Sequence, residues 1–178
     1  MDLAAIPFLT ADGRRACLGD HAGRVVLVVN TASKCGLTPQ YDGLQALYSR
    51  FRDRGLTVIG FPANDFAGQE PGSDAEIQAF CTLTHGVEFP VMAKIAVTGG
   101  GQHPLYAALT QAAPVARFPE GSGFLASLAK HGIQVSPPAI HWNFEKFLIG
   151  RDGQVIARFS PDTQPEDLAL VAAIETAL

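Results

Sequence analysis

The segment Arg24–Asn30 (RVVLVVN) is apolar at nearly every position and rich in β-branched residues, whereas the residues after it space their apolar positions three and four apart. A continuous run of this kind predicts a strand covered on both faces, as in the parallel pairs inside a sheet. The stretch that follows places Tyr41, Leu44, Leu47, Tyr48 and Phe51 on one stripe, with Thr38 as N-cap, Pro39 at the first helical position and Gly55 beyond the end. Together these predict an amphipathic helix. Leu56–Phe61 (LTVIGF) reads as the next strand. Ser73 and Glu76 form a capping box opening a second helix, which Gly86 closes and which carries Ile77, Phe80, Cys81 and Thr84 along one side. Val91–Val97 reads as a third strand.

Two hairpin signals flank this middle portion. Asp12-Gly13, between Ile6–Thr10 and Arg15–Leu18, predicts a short N-terminal hairpin, and Arg151-Asp152-Gly153 predicts another between Trp142–Ile149 and Gln154–Ser160. Gly99-Gly100-Gly101 leads into a short helix near Pro104–Gln111, and Ala112–Ala139 is loop-rich with a helical turn or two around Gly123–His131. Pro165–Leu178 reads as an amphipathic helix with acidic residues in its first turn. With no linker or internal repeat, the order is βαβ, a further helix and strand, then ββα. It predicts one α/β domain over residues 1–178 with a thioredoxin-like fold: a central mixed β-sheet flanked by helices, with an N-terminal β-hairpin.

Composition narrows the function without naming it. The chain has 178 residues, 47% of them hydrophobic, with 13 Lys+Arg against 17 Asp+Glu and a net charge of −4. At this length folding buries roughly 70% of the unfolded surface, so neither a disulfide scaffold nor a structural metal is required. No block of basic residues supplies the charge that nucleic-acid binding draws on. The run Val25–Val29 is far short of the roughly 20 residues of a membrane helix, and Met1–Thr10 contains Asp2 but no basic residue, so neither a membrane segment nor a signal peptide is expected. The three cysteines, Cys17, Cys35 and Cys81, are an odd count. Together these features point to a reducing compartment, the cytoplasm, and to thiols kept for chemistry.

Cys35 lies in Asn30-Thr31-Ala32-Ser33-Lys34-Cys35-Gly36-Leu37-Thr38, between the end of the central strand and the start of the helix. Functional sites in open α/β sheets gather there, and amides at a helix N-terminus favour a thiolate over a thiol. Position alone fits a small packed thiol equally well. Leu37 and Thr38 follow Cys35-Gly36, so the Cys-x-x-Cys of simple disulfide exchange is absent. A lone activated thiolate suits attack on a peroxide oxygen, which leaves a sulfenic acid and releases water or an alcohol. That reaction needs donors for the developing negative charge.

Three separated motifs carry a family resemblance. Asn30-x-Ala32-Ser33-x-Cys35-Gly36, Gly68-Gln69-Glu70-Pro71-Gly72 and Trp142-Asn143-Phe144-Glu145-Lys146-Phe147-Leu148, in this order and spacing, resemble the glutathione peroxidase family over practically the whole chain. His103-Pro104-Leu105-Tyr106, Glu120-x-Ser122-Gly123-Phe124 and Arg158-Phe159-Ser160-Pro161 are similar to its bacterial thioredoxin/glutathione peroxidases. The resemblance implies a selenium-free thiol peroxidase acting on hydrogen peroxide and organic or lipid hydroperoxides. It implies Cys35 as nucleophile with Gln69, Trp142 and Asn143 as its hydrogen-bonding partners, and neither bound cofactor nor metal. Reducing equivalents would come from thioredoxin or glutathione as co-substrate. Amide and indole N–H groups can stabilise a thiolate and then the departing oxygen without titrating.

The resemblance further implies Cys81 as resolving cysteine, giving a Cys35–Cys81 disulfide that thioredoxin reduces by exchange. Cys81 lies on the apolar face of its helix, where a packed thiol is the competing reading, and reaching Cys35 requires local unwinding. Cys17, in the hairpin, is expected to be structural. Ala63 and Asp65 depart from the family's Phe-Pro-Cys-Asn-Gln-Phe run, and the length of 112–139 leaves the oligomeric state open. Cys81 and His85 offer only two ligands to a metal. His141, beside Trp142 in an expected strand, is expected at the surface. A thiol-based sensor that relays oxidation to a partner protein is the alternative to full turnover, and a thioredoxin-like binding module without peroxide chemistry is a third reading.

Overall fold

The computed structural model describes residues 2–178. The chain enters through a small antiparallel hairpin, β1 (Phe8–Leu9) and β2 (Arg15–Ala16), whose turn holds Gly13 at φ 83°. Next come β3 (Val25–Thr31), α1 (Gln40–Phe51), β4 (Leu56–Pro62) and α2 (Asp74–His85). After α3 (Pro104–Ala112) and α4 (Phe124–Lys130), the chain returns to the sheet as β5 (Lys146–Ile149) and β6 (Val155–Phe159), and it ends in α5 (Leu168–Ala177). The main sheet has the order β4-β3-β5-β6, with β3 parallel to β4 and antiparallel to β5. This is the mixed sheet read from the sequence, with the hairpin beside it.

Every residue of β3 is buried. Side chains alternate across a strand, so Val25, Leu27 and Val29 meet one layer, which includes Leu44, Phe51, Ile77 and Ile174 of α1, α2 and α5. Val26 and Val28 meet the other, formed by Leu105, Tyr106 and Leu109 of α3 together with Phe8. Each fully buried valine or leucine contributes about 2 kcal/mol. The apolar part of β3 therefore outweighs the burial of Asn30 and Thr31 at its C-terminal end. No helix of the described residues is long and apolar enough to cross a membrane.

Several local expectations are corrected. Thr38 is not the cap of α1, which begins at Gln40 with Pro39 before it. The Thr38 hydroxyl instead accepts the Cys35 N–H at 3.0 Å and donates to the Ala32 carbonyl at 2.8 Å, so it closes the turn that carries the cysteine. Val91–Val97 is not a strand. It divides its backbone bonds between two partners, Met92 and Ile95 N–H to the Gly60 and Pro62 carbonyls of β4 at 2.8 and 3.0 Å and Ala93 N–H to Leu9 O at 3.0 Å, and no continuous ladder forms. Trp142–Glu145 precedes β5 and is irregular. Glu166 and Asp167 lie before α5, where the Asp167 carboxylate accepts the Ala169 N–H at 2.8 Å as N-cap. The capping box of Ser73 and Glu76 and the left-handed Gly86 (φ 58°) bound α2 as expected, although Thr84 is exposed.

Lys146, at the start of β5, is fully buried and donates through Nζ to the carbonyls of Phe144 at 2.6 Å and Pro161 at 3.4 Å. Loss of hydration pulls its pKa from 10.5 down to about 7, against the opposing pull of the Glu145, Asp162, Asp167 and Glu166 carboxylates. Between those values the unfolded chain binds more protons than the folded one, so this residue makes stability rise with pH. Below about 7 the folded amine is charged too, and the penalty is fully present. Urea unfolding of the reduced protein and its Lys146→Met variant, from just below neutrality to mildly alkaline pH, tests this. The wild type should gain on the variant as pH rises, by on the order of 1 kcal/mol per pH unit at most. A pH-independent difference would contradict the assignment.

Candidate active site

The C-terminal ends of β3 and β4 and the irregular strap before β5 converge on Cys35. The cysteine is partly buried and its Sγ accepts the Leu37 N–H at 3.4 Å. This donor comes from the turn ahead of α1 and not from the helix itself, which begins five residues after Cys35.

Gln69 is brought to this turn through its backbone, its carbonyl accepting the Lys34 N–H at 3.0 Å. Its side-chain carbonyl accepts from the Asn143 amide at 3.0 Å, joining two residues 74 positions apart. That bond occupies one Asn143 N–H and the Gln69 acceptor; the Gln69 amide nitrogen makes no hydrogen bond among the described residues. Trp142 lies against Phe66, ring centroids 5.2 Å apart, and is only partly buried. Asn143 is fully buried, and its side-chain oxygen has no partner. The strap that presents both residues is tied to β3: Asn30 Nδ2 donates to the Trp142 carbonyl at 3.0 Å and Asn30 O accepts the Phe144 N–H at 2.6 Å.

Cys81 lies in the core layer against which Cys35 packs. It is 1% exposed inside the core layer that contains Tyr41, Ile77 and Phe144, and all three cysteines are free thiols. Burial pushes the Cys81 thiol up, and the Glu70 carboxylate adds to this, while the neighbouring Tyr41 hydroxyl opposes it. Tyr41 has no well-aligned hydrogen-bond partner of its own. The last turn of α2 is fastened by His85, whose Nδ1 lies 2.8 Å from Asp42 Oδ1 and whose ring packs between Tyr41 and Phe80 at 5.4 and 5.3 Å. Cys17 lies in the N-terminal segment just after β2, where its N–H donates to Asp20 at 2.8 Å.

Sequence reading missed a second group of residues. Glu70 is buried, accepts from Ser33 Oγ at 3.0 Å, and has its pKa raised by lost hydration. Ser33, Lys34 and Glu70 line one side of a cleft of about 400 Å³ whose other side is Ile77 and Phe80 of α2. Asp65 does not join the site; its carboxylate accepts the Val97 N–H at 2.6 Å. His141, expected at the surface, is 3% exposed, because the strap is not a strand and the alternation argument does not apply. Its partner is Glu145, fully buried and paired with Arg158 at 2.5 Å. The available signal was the charge of Lys146 and Arg158 inside otherwise apolar strands, with Glu145 immediately before the first of them.

The chain has relatives among known proteins. The glutathione peroxidase family pattern matches residues 4–110. The chain is 54% identical over 168 residues to the Escherichia coli (strain K12) thioredoxin/glutathione peroxidase BtuE, covering 94% of this chain and 92% of that one. It is 47% identical over 158 residues to the hydroperoxy fatty acid reductase gpx1 of Synechocystis sp. (strain ATCC 27184 / PCC 6803 / Kazusa), covering 89% and 86% of the two chains. Among solved structures, that of Trgpx in its apo form superposes with a TM-score of 0.72 at 33% identity, covering 99% of this chain and 95% of the other. With the mixed sheet, the cysteine at the end of β3 and the family pattern in agreement, the chain belongs to the glutathione peroxidase family and is an oxidoreductase of the peroxidase class.

Proposed function

We propose that Cys35 reduces hydrogen peroxide and organic hydroperoxides, and that Cys81 resolves the product. The Cys35 thiolate attacks one peroxide oxygen; the S–O bond forms as the O–O bond breaks, and the other oxygen leaves as water or alcohol after taking a proton. The observation that carries this reading is the Gln69–Asn143 amide pair, hydrogen-bonded at 3.0 Å and anchored beside the Cys35 turn. With the Trp142 indole it supplies uncharged donors where negative charge develops on oxygen. The name of the Synechocystis relative supports organic hydroperoxides as substrates.

In the second step the Cys81 thiolate attacks the sulfenic sulfur. The S–S bond forms, the S–O bond breaks, and the hydroxyl leaves as water. Bridged Cα atoms must come within about 7 Å, so a thiol buried in the core must leave it. Cys81 is four residues from the end of α2, so unwinding the last turn suffices, and the cleft beside Ile77 and Phe80 leaves room for it. The resulting disulfide is reduced by exchange with a dithiol protein of the thioredoxin type, consistent with the name of the Escherichia coli relative, or by glutathione, in a reducing cytoplasm. Burial of Cys81 also prolongs the sulfenic acid, the one feature that favours relay to a client protein; fast thioredoxin-linked turnover would exclude the relay.

One equivalent of hydrogen peroxide followed by proteolytic mapping should give a Cys35–Cys81 disulfide. In Cys81→Ser, Cys35 should still be oxidised while thioredoxin-supported turnover falls at least tenfold. Undiminished turnover in that variant would remove Cys81 from the mechanism. Loosening the end of α2 should act on the second step alone. A side-chain hydrogen bond is worth about 0.5–1 kcal/mol net, so Asp42→Ala, which removes the partner of His85, should speed disulfide formation roughly two- to fivefold in stopped-flow measurements and leave Cys35 oxidation unchanged. An unchanged second step would mean that α2 opens elsewhere.

A further inference from the structure

Between His141 and Glu145 the chain makes a turn closed by side chains rather than by regular backbone bonds. One Glu145 oxygen accepts the His141 N–H at 2.6 Å, and both oxygens lie 3.1 Å from His141 Nδ1. Trp142, Asn143 and Phe144 are the residues inside this turn, Phe144 in the left-handed region at φ 68°. The opposite side of the carboxylate receives Arg158 Nε at 2.5 Å. Arg158 is 1% exposed and directs its other nitrogens at the carbonyls of Ala113, Pro114, Pro138 and Ala139, at 3.1, 3.0, 2.9 and 2.7 Å. These four carbonyls sit at the two ends of the long loop-rich segment. The same segment returns Phe118 onto the His141 ring, centroids 5.3 Å apart.

From this geometry we infer that the Glu145–Arg158 pair positions Trp142 and Asn143 for the reaction at Cys35, and that segment 113–139 is the collar through which Arg158 is held. The inference rests on the proposed role of those two residues. A flat guanidinium is required because one group must meet a carboxylate edge and carbonyls from two separate stretches of chain, a task a lysine ammonium cannot perform. A side-chain-closed turn is required because the backbone at Phe144 is of a kind that persists only when its surroundings over-determine it. Neither Glu145 nor Arg158 touches Cys35 through any hydrogen bond, so they act through the turn.

Replacing a buried ion pair by apolar residues of similar size often preserves stability, whereas removing one partner does not. The double variant Glu145→Leu/Arg158→Met removes both charges together and leaves no lone buried ion; it also takes the donor from the four carbonyls, so its fold is checked by circular dichroism before its rate is read. Trp142 is the sole tryptophan, so its emission reports on the turn itself. If the pair positions the site, the folded double variant should show a shifted Trp142 emission in the reduced state and at least tenfold slower single-turnover oxidation of Cys35 by hydrogen peroxide. Should the double variant fail to fold, Glu145→Gln decides, because its amide turns a donor toward either His141 or Arg158; it should be slowed at least threefold with the same spectral change. A folded variant with wild-type emission and rate would overturn the inference. Asn143→Ala, measured in parallel, should be slow: a slow Asn143→Ala beside a wild-type ion-pair variant would sink the positioning role alone, whereas a fast one would sink the site reading and this inference with it.

Discussion

The C-terminal end of β3 is the constraint on which the site depends. At Asn30 the regular ladder gives way to bonds from one residue to three points on the strap: its N–H to the Glu145 carbonyl at 3.4 Å, its carbonyl from the Phe144 N–H at 2.6 Å, and its side-chain amide to the Trp142 carbonyl at 3.0 Å. One residue further on, the Thr31 carbonyl accepts the Ala63 N–H at 3.0 Å and so ties in the end of β4. The strand then runs directly into the Cys35 turn. An apolar residue at position 30 could fill the volume but would leave the Trp142 carbonyl without its donor, and a buried backbone acceptor without a partner costs about 1–3 kcal/mol. Asn30 itself retains an unpartnered side-chain oxygen, so the junction is held at some expense, which the apolar majority of β3 offsets.

What could be read from the sequence follows from how local each signal is. The ends of α2 are fixed by neighbours in the chain, Ser73 with Glu76 at one end and Gly86 at the other, so they were legible. The continuous apolar run of β3 was legible because both faces of the strand are covered. Val91–Val97 has similar composition, but whether such a run pairs depends on which edges lie beside it, and here β4 and the N-terminal hairpin share it. Thr38 misled because a hydroxyl before a proline satisfies the rule for a cap and the requirements of a tight turn equally well.

The site divides in the same way. Cys35 drew attention by position, but Gln69 and Asn143 are joined only by tertiary structure, and composition would place a glutamine in solvent. Only the family resemblance named them together before the hydrogen bond between them was in view. The charges beneath the site were the least legible. His141, Glu145, Lys146 and Arg158 are all buried, against the ordinary preference of such residues, and each is tolerated because specific partners have replaced water. No rule of periodicity anticipates that, since what justifies each burial is a partner up to 45 residues away.

On the proposed mechanism the two cysteines face opposite requirements, and they differ in burial accordingly. Cys35 must react with a small electrophile that diffuses in, so it lies on a turn, partly exposed, with a backbone N–H on its sulfur. Cys81 must remain unreactive until Cys35 has been oxidised, and burial in the core beside Glu70 holds it as a thiol, the form that is neither nucleophile nor target. On the proposed mechanism the same burial that protects Cys81 sets the barrier to its use, because local opening of a helix end requires less free energy than global unfolding but is not free. Both ends of α2 are fastened: the start by a reciprocal capping box, and the end by the left-handed Gly86, with the Gly86 and Val87 N–H groups returning to the Thr82 and Cys81 carbonyls at 3.1 Å, and by His85 against the exposed Asp42 carboxylate. On the proposed mechanism these C-terminal bonds, one of them on the Cys81 carbonyl itself, are the ones that must open while the strap and the Cys35 turn stay fixed.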